Sequence, residues 1–247
     1  MHRFFKVVSI LTVAFISGFP TDANAQTPGN IGTIAGDGTG AGFGGAFGGD
    51  GGAAISAQLN FPTEVALDAA GNLYITDRIN HVVRKVDAVT GNISTIAGTP
   101  GTSGSTGDGG SALSATLNQP HGVAVDAAGN VYITEIGAGF VRKVDAVTGI
   151  ISTVASSFSR GIFIDTNGDI YLAAFNKIDK IDGITGVLTT VAGGTSGTGG
   201  DGGPATSAQI DFTTDVVLDA AGNIYFTELF GHRIRKVDAV TGIVNTI

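Results

Sequence analysis

The feature that most constrains this chain is a fourfold internal repeat. Glu64-Val-Ala-Leu-Asp-Ala-Ala-Gly-Asn-Leu-Tyr-Ile-Thr-Asp77 aligns without gaps with Gly122-Val-Ala-Val-Asp-Ala-Ala-Gly-Asn-Val-Tyr-Ile-Thr-Glu135. It aligns equally with Gly161-Ile-Phe-Ile-Asp-Thr-Asn-Gly-Asp-Ile-Tyr-Leu-Ala-Ala174 and Asp215-Val-Val-Leu-Asp-Ala-Ala-Gly-Asn-Ile-Tyr-Phe-Thr-Glu228. Each copy is followed by a Lys-Val/Ile-Asp segment ending at Asp87, Asp145, Asp182 or Asp238, and then by a Thr-Gly turn. A short β-branched run closes the unit, starting at Ile93, Ile151, Leu188 or Val244, and a similar run starts at Ile31. Self-similarity at a period of about 40 residues or more marks a unit that stacks on its neighbours to bury its apolar faces.

The runs are short, rich in Val and Ile, and separated by turn chemistry, so they read as strands. Asp-Ala-Ala-Gly-Asn is a tight hairpin in which the Asp closes an Asx-turn and the Gly supplies positive φ. Each unit then holds four antiparallel strands, a to d, the make-up of a propeller blade. Strand a is expected near 64–68, 122–126, 161–165 and 215–219, and strand b near 72–77, 130–135, 169–173 and 223–228. Helix is expected only in residues 1–25 and in Ala-rich turns at Ala53–Leu59, Ala112–Leu117 and Ala205–Ile210. The class is all-β.

The repeat resembles the NHL family, whose Asn-His-Leu motif stands here as Asn80-His81-Val82. The resemblance covers Ile31 to Ile247 and rests on recurring Gly-Val-Ala-Val-Asp, Gly-Asn-Val-Tyr-Ile-Thr and Arg-Lys-Val-Asp segments. It is nearest to the long bacterial secreted variety, in which Gly-Asp-Gly-Gly precedes strand a, as at Gly49, Gly107 and Gly200 but not in the third unit. What the resemblance implies is a β-propeller, usually six-bladed, used mostly as a binding platform. The expected organisation is a signal peptide at 1–25 and a propeller at 26–247, with a-b-c strands near 64–87, 122–145, 161–182 and 215–238. Five d-type runs accompany four a-b-c sets, and the last d run stops at Ile247. The expectation is therefore a C-terminally truncated, open arc of about four blades from a larger propeller, with aggregation-prone blade edges.

Arg3 and Lys6 followed by the apolar run Val7–Phe19 and by Ala23-Asn24-Ala25 read as an export signal cleaved near Ala25. The apolar run is too short to span a bilayer. The expected location is secreted, periplasmic or cell-surface. Without residues 1–25 the 13 basic and 21 acidic residues become 11 and 20, a net charge of −9. That balance excludes a nucleic-acid binder, and the absence of cysteine excludes thiol catalysis, disulfides and Cys-ligated metals.

Few residues are left to carry chemistry. Tyr74, Tyr132, Tyr171 and Tyr225 share one repeat column and read as packing; Asp68, Asp126, Asp165 and Asp219 read as turn formers before calcium ligands. Arg84, Arg142 and Arg235 recur in strand c opposite Asp77, Glu135 and Glu228 at the end of strand b. In the third unit Ala174 and Asp179 replace both partners, which predicts an ion pair, weak if exposed. The glycine-rich inserts, 36–52, 98–110 and 193–203, match no phosphate-binding loop and are expected around the mouth of the central channel. At the start of strand a the chain shows Thr63-Glu64, His121-Gly122, Arg160-Gly161 and Thr214-Asp215. Strand a is innermost in a propeller, so Thr63, Glu64, His121, Arg160, Thr214 and Asp215 are the candidate ligand-binding residues. Two function classes follow. The first is a secreted non-enzymatic binding or scaffold module that contacts a protein or carbohydrate, with no cofactor and no catalytic residue. The alternative is a metal-dependent propeller hydrolase or lyase, lactonase-like or amidoglycolate-lyase-like, holding Ca²⁺ or Zn²⁺ through Glu64, His121 and Asp215.

Overall fold

The computed structural model describes residues 32–39 and 45–247. The signal segment 1–25 and Ile31 lie outside the described residues. Blade 1 comprises β1 (Pro62–Leu67), β2 (Leu73–Asp77), β3 (Val82–Val86) and β4 (Ile93–Ala97). Blade 2 comprises β5 (Pro120–Val125), β6 (Val131–Glu135), β7 (Phe140–Val144) and β8 (Ile151–Ser156). Blade 3 comprises β9 (Ser159–Ile164), β10 (Ile170–Ala174), β11 (Lys177–Ile181) and β12 (Leu188–Gly193). A two-residue strand, β13 (Gly203–Pro204), precedes blade 4, which comprises β14 (Thr213–Leu218), β15 (Ile224–Glu228), β16 (Arg233–Val237) and β17 (Ile243–Thr246). All pairings are antiparallel between strands adjacent in the chain, except that β13 joins the outer edge of β17. Strand b falls within a residue of its expected place, and strand a starts two residues earlier than expected.

The hairpin chemistry accounts for this regularity. Asp68 Oδ1 accepts from the N–H groups of Ala70 and Asn72 while Gly71 takes a φ of 84°, a conformation that costs glycine nothing. Tyr74 donates to Asp68 Oδ2 at 3.1 Å, and Tyr132 and Tyr225 repeat that contact. Both carboxylate oxygens of Asp68 are thus spent on its own blade.

The core lies between blades rather than inside one. Tyr74, Val83 and Ala97 of blade 1 pack on Leu117, Val123, Ile133 and Ile151 of blade 2. Ala124 and Val141 of blade 2 pack on Ile162, Leu172 and Ile181 of blade 3. Tyr171 and Ile178 of blade 3 pack on Val216, Phe226 and Val244 of blade 4. Each buried Leu, Ile or Phe contributes about 1.5–3 kcal/mol, which a lone blade forgoes. Innermost strands meet in sequence, β1 on β5, β5 on β9 and β9 on β14, and among the described residues β14 forms no packed interface with β1. The blades make an open arc.

Three expectations need correction. The run at Ile31 forms no strand over its described part, Gly32 to Ala35; no described strand c offers it a partner, and Gly36 N–H donates instead to Ala54 O. The glycine-rich inserts begin beside the b–c connections, where Gly101 N–H donates to Asn80 O and Gly194 N–H to Asn176 O, but they do not stay at that end. They run down the outer edge of the blade that follows, where Gly51 N–H donates to Ile93 O and Ile93 N–H to Gly52 O, as Gly109 and Gly110 do with Ile151. Stacked blades diverge with distance from the axis, and the extra chain fills the wedge between them. A short 3-10 turn also forms outside the Ala-rich segments, at Arg78–Asn80. The predicted ion pairs form, Arg84 with Asp77, Arg142 with Glu135 and Arg235 with Glu228, and they are buried. Arg84, Arg142 and Arg235 are each 0% exposed, and each is held by two acids rather than one. The second acid is the Asp of Gly-Asp-Gly-Gly: Asp50, Asp108 and Asp201 lie 2.5, 2.6 and 2.7 Å from their arginines. The third blade lacks insert and arginine together, and Asp179 there receives Ser157, Thr190 and Lys177.

Candidate functional site

Every strand a carries a β-bulge, and every bulge falls on the column expected to hold the site. Pro62 pairs with Asp77 and Val65 with Ile75, so Thr63 and Glu64 together oppose Thr76. His121 and Gly122 likewise oppose Thr134, Arg160 and Gly161 oppose Ala173, and Thr214 and Asp215 oppose Thr227. A bulge adds a residue on one strand, raises the local twist and re-aims side chains that a regular pleat would alternate. Here it turns the residues at the end of each innermost strand toward the next blade and the channel.

Threonine hydroxyls tie the bulges together. Thr63 Oγ1 donates to His121 O at 2.8 Å, and Thr76 Oγ1 lies 2.9 Å from the same oxygen. One blade further, Gly122 N–H donates to Thr134 Oγ1, which lies 3.1 Å from Arg160 O. The fit is tight enough to demand glycine: a Cβ on Gly122 would stand 2.5 Å from Arg160 O, and one on Gly161 2.8 Å from Asp215 Cα. In blade 4, Thr214 and Thr227 share a 2.7 Å hydroxyl contact and Asp215 Oδ1 accepts from Val216 N–H.

Thr63, Glu64, His121, Thr214 and Asp215 line one cavity of about 690 Å³ between the four innermost strands, with Val65, Ala124, Ile162 and Val216 along its wall. Arg160 borders it through His121. Arg160 Nη1 lies 3.3 Å from His121 Nε2, and His121 Nδ1 lies 3.3 Å from Arg160 O. These contacts suit a neutral imidazole that donates from Nδ1 and accepts at Nε2. Burial, then the Arg160 and Arg78 cations, pushes the His121 pKa down to about 4. The same contacts do not suit a metal: both ring nitrogens are engaged and two cations face the ring. Among the described residues no three His, Asp or Glu side chains gather as metal ligands.

Three residues that sequence reasoning missed complete this end of the channel. Arg78, on the turn after β2, donates to Gln119 Oε1 at 2.9 Å, and its guanidinium sits 5.5 Å from the Phe61 ring centre. Arg160 sits 5.0 Å from the Phe212 ring centre. Phe61 and Phe212 occupy one repeat column, and both adopt left-handed backbone, with φ of 57° and 53°. That conformation costs a bulky L-residue roughly 1–2 kcal/mol. Phe212 also packs on Phe175 and Phe230, at 5.2 and 4.9 Å between ring centres. Phe158, Phe175, Leu229 and Phe230 are about half exposed, so the mouth carries an apolar rim. The signal was present in the sequence, because Phe61, Phe158 and Phe212 recur immediately before strand a.

Four-stranded blades, an inner strand bulged at the channel, and the repeated turns define the class, a β-propeller, and its repeats are similar to NHL repeats. The profile of the Teneurin NHL domain matches residues 97–159. Over 116 residues the chain is 31% identical to the human NHL repeat-containing protein 2, covering 46% of this chain and 16% of that protein. It is 36% identical over 98 residues to mouse Teneurin-3, covering 35% and 4%. Among solved structures a streptogramin B lyase aligns with a TM-score of 0.55 at 17% identity, over 75% of this chain and 53% of the lyase. The matches span a small share of the curated relatives and about half of that solved propeller. Among the described residues no helix is long and apolar enough to cross a membrane.

Proposed function

We propose that the chain is a secreted, non-enzymatic binding module that contacts a protein or carbohydrate ligand at the channel mouth. The observation that supports this is the bulge in every innermost strand: polar side chains from three blades line one cavity inside an apolar rim, and Arg160 of the remaining blade borders it through His121. Secretion rests on the Arg3-to-Ala25 signal pattern. Chemistry is disfavoured at His121, whose Nε2 lone pair faces Arg160 rather than open space. The streptogramin B lyase and this chain share a fold, and folds host unrelated activities.

The test presents the full chain to a peptide library and a glycan array, beside Thr214→Arg, which fills the mouth, and Val89→Arg, on a c–d turn at the other end of blade 1. A ligand recovered chemically unchanged, lost in Thr214→Arg and kept in Val89→Arg, is the expected result. A ligand that is turned over overturns the reading. So does stoichiometric bound metal that disappears in a Glu64→Ala, Asp215→Ala double variant, which would point to the metal-dependent hydrolase or lyase.

A further inference from the structure

Three of the four blades cover their outermost strand in the same way. The glycine pair of the insert lies along strand d: Gly51 N–H donates to Ile93 O and Ile93 N–H to Gly52 O, and Gly109 and Gly110 do the same with Ile151. In blade 4, Gly202 N–H donates to Val244 O and Gly203 pairs with Val244. The alanine that follows shuts the slot. Ala54, Ala112 and Ala205 are buried, and each donates its N–H to the glycine carbonyl of the c–d turn, at Gly91, Gly149 or Gly242.

Blade 3 has no insert, because only Ser157 and Phe158 separate β8 from β9. Leu188 stands opposite Ile181 as Ile93 stands opposite Val86, so the same register turns its N–H and C=O outward. Among the described residues nothing pairs with that outer edge of β12. The side chains report the same difference: Ile93, Ile151 and Val244 are 0% exposed, whereas Leu188 is 36% and Val187 55% exposed. The edge Leu188-Thr189-Thr190-Val191 carries neither charge nor proline, the usual guards of an unpaired strand.

We propose that the outer edge of β12 is a docking site for an extended strand of a partner protein. The strand is of the Gly-Gly-x-Ala type that the other three blades supply from their own chain, with an uncharged residue before the glycines. The site lies on the outermost strand, away from the channel mouth, and does not rest on the reading given for that mouth. Its three filled copies specify the occupant. The incoming main chain bonds to Leu188 N–H, Leu188 O and Gly186 O, as the inserts bond to Ile93 and Gly91 in blade 1. The first glycine of the pair is needed for its backbone: Gly51, Gly109 and Gly202 have φ of 83°, 80° and 79°. The alanine is small enough to be buried where Ala54, Ala112 and Ala205 are buried.

The residue before the glycines differs from that of the inserts for a reason of charge. In blades 1, 2 and 4 it is an Asp held by the strand-c arginine. Blade 3 has Asp179 in the arginine's place, opposite Thr190 as Arg84 is opposite Thr95. Asp179 is already satisfied by Thr190 Oγ1 at 2.8 Å, Lys177 at 2.8 Å and Ser157 Oγ at 3.3 Å. An incoming carboxylate would meet Asp179 and no arginine, which selects against it. An asparagine there keeps an acceptor for Thr190 N–H, the part Asp50 plays toward Thr95 N–H, without the charge.

The test uses fluorescence anisotropy with the full chain and a labelled peptide, residues 199–208 of this sequence with Asp201→Asn. The comparison probes are that peptide with Gly202→Ala added, and the peptide that keeps Asp201. Saturable binding of the Asn peptide is expected. Gly202→Ala should weaken it by about five- to thirtyfold, the cost of left-handed backbone to an L-residue, and retaining Asp201 should also weaken it. In the protein, Leu188→Pro deletes an N–H that faces away from β11 and leaves the blade's own ladder intact; peptide binding should fall at least tenfold. Leu188→Lys, which sets a charge over the slot, should weaken binding likewise and serves if the proline variant does not fold, as melting temperatures will show. Val147→Ser, on the c–d turn of blade 2, should change nothing. No binding of the Asn peptide, equal binding of its Gly202→Ala form, tighter binding with Asp201, or binding undiminished by the Leu188 variants overturns the proposal. A dimer of the chain that Leu188→Pro dissociates, with no peptide bound, places a second copy on the edge and overturns it too. None of these outcomes touches the channel mouth, so the binding-module reading stands or falls separately.

Discussion

Asp50→Ala tests whether the glycine-rich inserts are latches. Arg84 lies wholly buried in strand c, and Asp50 takes hydrogen bonds from its Nε at 3.1 Å and its Nη2 at 2.5 Å. Its remaining polar contacts are the carbonyls of Gln58 and Gly48 and, at 3.8 Å, Asp77. Asp77 is itself buried, and burial pushes its pKa up to about 6 against the pull of Asn80, Asn60 and Arg84. It is therefore a poor substitute for Asp50. A charge-assisted hydrogen bond contributes about 1.5–3 kcal/mol. Asp50 is 36% exposed, so solvent screening discounts the two bonds, while Thr95 N–H also loses its acceptor in the variant. The net loss should be about 2–3 kcal/mol, or roughly 5–10 °C in melting temperature for a chain of this size. Urea unfolding of wild type, Asp50→Ala, Arg84→Met and the double variant supplies the readout, with a coupling of about 1–3 kcal/mol expected. A loss within 0.5 kcal/mol, or additive single effects, refutes the latch. The insert would then be wedge-filling chain and nothing more.

Gly122→Ala should destabilise the protein by about 1–3 kcal/mol without any backbone conformational penalty, because the new methyl meets Arg160 O at 2.5 Å and Thr134 Oγ1 at 2.8 Å; thermal unfolding checks this. His121 predicts an acid-side loss of stability. Its folded pKa, about 4, lies below the unfolded value near 6.5, so the unfolded chain binds the extra proton first and wild type loses stability as pH falls from 6.5 to 4. A His121→Gln variant should lack that component, and identical pH profiles would contradict it.

The repeat made the blades readable from sequence because each strand is specified locally. Alternating β-branched residues set the strand, and Asp-x-x-Gly-Asn sets the hairpin, so neither needs a distant partner to be recognised. Repetition then supplied four independent copies of the same signal. The column of site residues was legible for a similar reason: Thr63, His121, Arg160 and Thr214 stand at one repeat position, and symmetry brings one position of each blade to one end of the channel.

Other features depended on neighbours distant in the chain. The bulge that turns the site column cannot be read from strand a alone, since it exists only in register with strand b. Arg78 reads as an ordinary turn residue until blade 2 brings Gln119 and His121 beside it. The partner of each strand-c arginine was legible only in half. The acid on strand b lies across a hairpin, but Asp50, Asp108 and Asp201 lie 34 residues away and reach the arginine only when the insert wraps the outside of the blade. Burial followed from the same wrapping. Sequence determined the element, the turn and the column, which are set within a few residues of the chain; tertiary structure decided what each charge faces, because that depends on how far blades diverge and on what fills the space between them.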